Sequence, residues 1–164
     1  MPVPGHVGSD YTRLRPEFKV ISDPYSGKDV FLVPPIIPDV ALIHALAAYR
    51  SGNLLLAEKE DDSLLAQASR VVIASAERIV PADQLRRADY GLFLPGIHVT
   101  AVVPLPGGAH PTPVRGAYGL DAGHLAEYLS AAASDESFKV YLDRYVFEPK
   151  DHAEYLERVG LSLP

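Results

Sequence analysis

The 164-residue chain contains no cysteine. Disulfide frameworks, thiol nucleophiles, iron–sulfur clusters and thiolate zinc sites are excluded together, and the composition suits a reducing cytoplasm. A basic surplus is missing as well: 15 Lys and Arg stand against 21 Asp and Glu, a net charge of -6 at neutral pH. No apolar run approaches the ~20 residues that a membrane-spanning helix needs. The longest, around Val40 to Ala48, carries His44. Neither a nucleic-acid partner nor a membrane partner is therefore expected. The opening Met1-Pro2-Val3-Pro4-Gly5-His6 lacks the basic and apolar regions of a secretory leader. The motifs G-x-S-x-G, Walker A and G-x-G-x-x-G do not occur. None of the six histidines (His6, His44, His98, His110, His124 and His152) stands at a metal-ligand spacing, so no metal is expected.

What is present is apolar and heavily punctuated. At 48% hydrophobic and 22% charged residues, the chain reads as one globular domain over residues 1–164, neither disordered nor repetitive. Its 15 prolines exceed the roughly eight of average usage, and they fall at the mouths of strands and in loops. Residues 1–29 read as a loop-rich lead-in with one short apolar piece, 18–21. Strands are predicted at 30–33, 39–45, 54–57, 71–75 and 98–103, with 39–45 and 71–75 buried on both faces. Helices are predicted from Asp62 or Ser63 to about Arg70, burying Leu64, Leu65 and Ala68, and from Pro81. Three more follow. The first is capped by Asp121 and buries Leu125, Tyr128, Leu129 and Ala132. The second begins near Ser134 and buries Phe138, Tyr141, Leu142 and Tyr145. The third runs from Asp151, with Glu154 in a capping box, to just before Gly160. Buried strands alternating with short helices predict an α/β fold with an open, mostly parallel sheet, flanking helices and a helical C-terminus.

Chemistry is sought at the carboxyl ends of such strands, where open α/β sheets bind ligands. Gly107-Gly108-Ala109-His110 follows the 98–103 strand and reads either as a loop whose amides approach a carbonyl or phosphate, or as an ordinary turn. Glu77 follows the 71–75 strand and reads either as a functional carboxylate or as a salt-bridge partner of Arg78 or Arg70. His98 and His110 flank one strand and loop. His44 reads as a hydrogen-bonded core histidine, and the acidic run Glu58, Glu60, Asp61 and Asp62 as a solvated helix entrance.

Several ordered motifs then carry a family resemblance. They are Phe18-Lys19-Val20-Ile21, Asp23-Pro24-Tyr25-Ser26-Gly27, Val33-Pro34-Pro35-Ile36-Ile37-Pro38-Asp39-Val40-Ala41-Leu42-Ile43-His44 and Arg50-Ser51-Gly52-Asn53. Ala68 to Ile73, Ala76 to Pro81, Pro95 to Val99 and Pro106 to Thr112 continue the match. Together they resemble the α-type component of two-component coenzyme A transferases of the glutaconate or 3-oxoacid type, with Pro4 to Asp10 standing where a family member has already run through an N-terminal segment. The resemblance implies a β-subunit partner, acyl-CoA and carboxylic acid substrates, a hetero- or homo-oligomer, and no cofactor beyond coenzyme A as substrate. It also implies ping-pong transfer through a glutamyl-CoA thioester whose glutamate lies in the β subunit, so no catalytic residue is assigned in this chain. Glu77, His98, Gly107, Gly108, Ala109 and His110 are expected to contact substrate, and Gly108→Val is expected to impair activity without disturbing the fold. Tyr49 and Thr100 stand where the family more often shows an acidic residue. A component of an acyl-CoA hydrolase and a non-catalytic assembly domain are the alternatives.

Overall fold

A computed structural model describes residues 2–3, 5–58, 61–86 and 90–163. The chain divides into two compact units, Met1–Ile37 and Pro38–Pro164. In the first, β1 (Pro2–Val3), α1 (Tyr11–Leu14), β2 (Lys19–Ser22) and β3 (Asp29–Leu32) form an antiparallel sheet of order β1-β3-β2 around one fully buried side chain, Phe31. The rings of Phe18 and Tyr11 pack on it at 5.4 and 6.3 Å. Asp23 shapes the β2–β3 turn by accepting the Ser26 amide at 2.9 Å, a local bond that Asp favours in turns. The 30–33 strand thus belongs to a hairpin rather than to a parallel sheet.

The second unit holds the parallel sheet: β4 (Val40–Ala45), β7 (Val71–Ala76) and β9 (Ala101–Pro104), with β7 in the centre. Against it lies an antiparallel sheet of β5 (Ala47–Ala48), β6 (Leu54–Leu56) and β8 (Leu92–Leu94), which the apolar pattern alone does not separate. Ala41, Ile43 and Ala45 of β4 and Val72, Ala74 and Ala76 of β7 meet Leu54, Leu56 and Leu94 in one core. Alanine at these positions lets the two sheets approach closely. Helix α2 (Asp62–Ala68) closes this core with Ala66 and Leu65, while Leu64, expected inside, is exposed. Helix α3 (Ala82–Arg86) buries Leu85.

Two expectations fail here for physical reasons. The apolar runs of β4 and β7 are covered on one face only: Leu42 is 73% exposed, and Val40 and Ile73 lie open beside it. The strand expected at 98–103 begins later, because Gly96–His98 form a 3-10 turn that the Val99 amide closes on the Gly96 carbonyl. Thr100 then stitches the amino end of β9 to β7, its hydroxyl accepting the Val72 amide at 3.1 Å. A structural bond, rather than a ligand, accounts for threonine there. Among the described residues no helix is long and apolar enough to cross a membrane.

The last third is helical: α4 (Ala122–Ala131), α5 (Asp135–Leu142), a π-helical turn at Asp143–Phe147, and α6 (His152–Val159). Asp121, Ser134 and Asp151 cap the three helices through their side chains, as their spacing predicts. Glu154 accepts the Lys150 amide, one residue before the box position expected. The packing face of α4 is not the predicted one. His124 is its buried residue, while Leu129 and Ala132 are exposed. The reason is aromatic: the Tyr141 hydroxyl lies 2.8 Å from His124 Nε2, within hydrogen-bond distance, and Tyr145 lies 4.6 Å from its ring. An imidazole satisfies both a buried hydrogen bond and ring packing, which leucine does not.

Burial first, and the neighbouring His110 imidazole second, hold His124 below the ordinary histidine range. Between that lowered value and the ordinary ~6.5, the unfolded chain binds a proton that the folded chain does not, so stability falls as pH drops through this window. Urea unfolding at pH 7 and pH 5.5 is expected to show a lower midpoint at the acidic value. His124→Gln should flatten that dependence; equal slopes for the two proteins would contradict it.

Candidate functional site

Where the parallel strands end, β7 runs straight into Glu77. Residues two apart share a strand face, so Ser75 and Glu77 project together, and the register pairs His44 of β4 with Ser75. The three side chains join in a row: Ser75 Oγ lies 2.7 Å from His44 Nδ1, and His44 Nε2 lies 2.6 Å from Glu77 Oε1. Against the carboxylate, Nε2–H is the donor, and Ser75 Oγ also reaches the Ile43 carbonyl at 3.4 Å. The Tyr118 hydroxyl donates to the same carboxylate oxygen at 2.7 Å, and the Gly107 amide donates to the other at 2.9 Å. The Glu77 side chain is only 8% exposed. Its partner is His44, not Arg78 or Arg70; Arg70 pairs with Asp39 instead.

Tyr118 is the second hub. Burial first, then its bond to Glu77, pushes its hydroxyl well above the usual phenol range, which keeps it a donor. The same oxygen accepts the Ala109 amide at 3.0 Å. The loop amides are thus consumed inside the molecule: Gly107 by Glu77, Gly108 by the Leu105 carbonyl at 3.0 Å, Ala109 by Tyr118, and His110 by the Gly107 carbonyl at 3.1 Å. The loop is a rigid wall held from behind.

His110 anchors the far end of that wall. Its side chain is 1% exposed, with Nδ1 2.7 Å from the Tyr155 hydroxyl and Nε2 3.2 Å from Asp121. Burial, ahead of neighbouring charges, pushes Tyr155 up to about 12, so its hydroxyl stays protonated beside Nδ1, while Nε2 faces the Asp121 carboxylate. Asp121 is held below the usual carboxylate range, first by the His124 amide and then by His110. Helix α6 lies across the loop, with His152 Nε2 donating to the Pro106 carbonyl at 2.7 Å.

Beside Glu77 opens a cleft of about 400 Å³ lined by Arg78, Tyr90, Pro106 and Arg115, and it shares Tyr90, Arg115 and Ala117 with a second cleft of about 620 Å³. Glu77 and the 107–110 loop are therefore one construction. His98 is not part of it. The 3-10 turn places His98 before the amino end of β9, one strand length (about 13 Å at the usual rise) from the loop that follows Pro104. Sequence reasoning missed Ser75, Tyr118, Arg115 and Tyr155; it read His44 as a hydrogen-bonded core histidine, and both of its ring nitrogens are bonded, one of them to Glu77. Only the two-residue step from Ser75 to Glu77 was readable in advance. Among the described residues no group of three His, Asp or Glu is placed to hold a metal ion. Glu58, from the acidic run, accepts the Gly91 amide at 3.0 Å; Glu60 lies outside the described residues.

Gly107 has φ +75, and a Cβ there would sit 2.8 Å from a Leu156 methyl. At Gly108 a Cβ would meet the Leu105 carbonyl oxygen at 2.8 Å, a backbone atom that cannot swing aside. Gly108→Val is therefore not neutral to the fold, contrary to the sequence-based expectation. It should lower stability by about 1–3 kcal/mol, the usual cost of overpacking, read as a reduced midpoint in thermal or urea unfolding. An unchanged midpoint would show that the turn is not held as described.

The family model described as "Coenzyme A transferase" matches residues 7–104. The chain is 36% identical over 148 residues to the A component of glutaconate CoA-transferase from Acidaminococcus fermentans, covering 89% of this chain and 46% of that one. It is 33% identical over 160 residues to the A component of 3-oxoadipate CoA-transferase from Pseudomonas knackmussii, covering 94% and 55%. The crystal structure of glutaconate coenzyme A-transferase from Acidaminococcus fermentans superposes with a TM-score of 0.83 at 33% identity, over 98% of this chain and 56% of that chain. The chain thus spans about half the length of the curated relatives it matches. With its α/β fold and parallel sheet, the chain belongs to the coenzyme A transferase family.

Proposed function

We propose that this chain is the A-type component of a coenzyme A transferase, working with a B-type partner to move coenzyme A between a short or dicarboxylic acyl-CoA and an acceptor carboxylate. The observation that carries the reading is the likeness to glutaconate coenzyme A-transferase over nearly the whole chain. Coenzyme A is then a substrate, and no prosthetic group is called for. The absence of cysteine is the ground for placing the protein in the cytoplasm.

In this reading a carboxylate attacks the thioester carbonyl, the thiolate leaves, and the thiolate then attacks the resulting anhydride to give an enzyme thioester and a free acid. That exchange splits one difficult transfer into two easier ones. Glu77 is not suited to be the nucleophile. Three donors engage its two oxygens, and its side chain is almost wholly covered. The hydrogen bonds that would have to break make it a poor attacker, which supports a nucleophile supplied by the partner. Glu77, Gly107, Gly108, Ala109 and His110 are proposed as the positioning layer that fixes the wall of the substrate cleft, through Glu77 and Pro106 at its surface.

The test is reconstitution with the B-type partner, following transfer of coenzyme A from glutaryl-CoA to acetate. Exchange that requires both chains and the acceptor acid supports the reading. Release of free coenzyme A at the same rate without acetate would replace it with the hydrolase alternative. Tyr118→Phe withdraws the bonds to Glu77 and Ala109 together, and misplacing a cleft wall should lower kcat roughly tenfold or more.

A further inference from the structure

The cleft beside Glu77 runs against the sign of the whole molecule. A chain of net charge -6 lines it with two guanidinium groups, Arg78 and Arg115. Each stands on pinned backbone. Arg78 directly follows Glu77, and its carbonyl accepts the Ala48 amide at 2.9 Å. Arg115 sits in a tight hairpin whose ends, Val114 and Tyr118, exchange amide bonds at 3.0 and 3.1 Å, and Tyr118 is tied to Glu77.

Among the described residues neither guanidinium is in an ion pair closer than 4.0 Å. Arg78 has no carboxylate within salt-bridge distance among the described residues, and Glu58 is 4.0 Å from Arg115, at the limit of such a contact. Arg115 instead rests over the Tyr90 ring, 4.9 Å from its centroid. Stacking of this kind orients the planar fork while leaving its N–H donors free. Apart from Glu77 and the two arginines the lining is mostly apolar, with Leu46, Pro106, Val114, Ala117 and Leu163. A cleft of about 400 Å³ is at the small end of ligand sites and suits a short methylene chain ending in a charge.

We propose that Arg78 and Arg115 form an anion grip for the free carboxylate of a dicarboxylic acyl group, and so select dicarboxylic over monocarboxylic substrates. The proposal rests on the transferase reading for the acyl group, and on the cleft alone for the anion. With Glu77 in the cleft and Glu58 4.0 Å from Arg115, the two guanidinium charges are already partly balanced, which favours a ligand bearing one negative charge over one bearing two. A phosphate dianion would add a further negative charge beside Glu77, so the carboxylate is the better-matched anion. Bidentate Arg–carboxylate geometry supplies the orientation.

The experiment is an NMR titration of the ¹⁵N-labelled full chain with glutarate, butyrate and inorganic phosphate in turn. Glutarate is expected to shift the amides of residues 114–118 and to bind roughly tenfold more tightly than butyrate, the size of one good charge-assisted contact. R78Q and R115Q should each weaken glutarate roughly tenfold. R50Q, in a separate cleft with Ile79 and Pro81, should leave it unchanged. Both arginines of the grip are exposed, so the variants should keep the spectrum of the folded chain. Equal binding of butyrate, indifference of glutarate to R78Q and R115Q, or preferential binding of phosphate would overturn the proposal, the last by assigning the cleft to a phosphate of coenzyme A. The titration needs neither partner nor coenzyme A, so its failure is separate from failure of the transfer assay.

Discussion

One buried carboxylate organises this end of the molecule. Glu77 closes β7, receives His44 from β4, draws in the Gly107 amide from the loop after β9, and holds Tyr118, which in turn holds Ala109. Three separate stretches of chain thus converge on the two oxygen atoms of a fourth. A carboxylate in a nearly covered position is costly unless its lone pairs are satisfied, and here both oxygens are. The same condition explains the donors around it: removing any one leaves a charge or an amide without a partner, at about 1–3 kcal/mol each.

The consequence for chemistry is a division of labour. A carboxylate committed to three donors fixes geometry and does not attack substrate. In the proposed transferase reading, substrate occupies the cleft it borders, and the 107–110 wall serves transfer because a near-attack arrangement depends on walls that do not yield. The C-terminal helices extend the same logic. Tyr155 of α6 and Asp121 ahead of α4 orient His110 from opposite sides, so the helical third serves as a brace on the loop.

Much of the scaffold was legible in the sequence. The β-branched run at 71–75 and the apolar run at 39–45 marked two of the parallel strands, and Asp121, Ser134 and Asp151 announced their helices, because capping is a local event. Glu77 and the glycine loop were placed together by the rule that ligands gather at strand carboxyl ends. What stayed hidden depends on register and tertiary contact. His44 meets Ser75 only because β4 and β7 pair in one particular alignment, and Tyr118 reaches Glu77 across 41 residues. His98 misled because a proline-led 3-10 turn, not a strand, carries it. His124 misled because aromatic neighbours, not periodicity, chose the buried face of α4.

The central claim, that Glu77 holds the loop by its backbone, is tested most directly by amide hydrogen exchange. The account predicts that the Gly107 and Ala109 amides of the wild-type chain exchange slowly, close to the rates of the β7 core, and that both become fast in Glu77→Ala while β7 stays protected. Fast exchange at Gly107 in the wild type, or protection that survives the substitution, would contradict it.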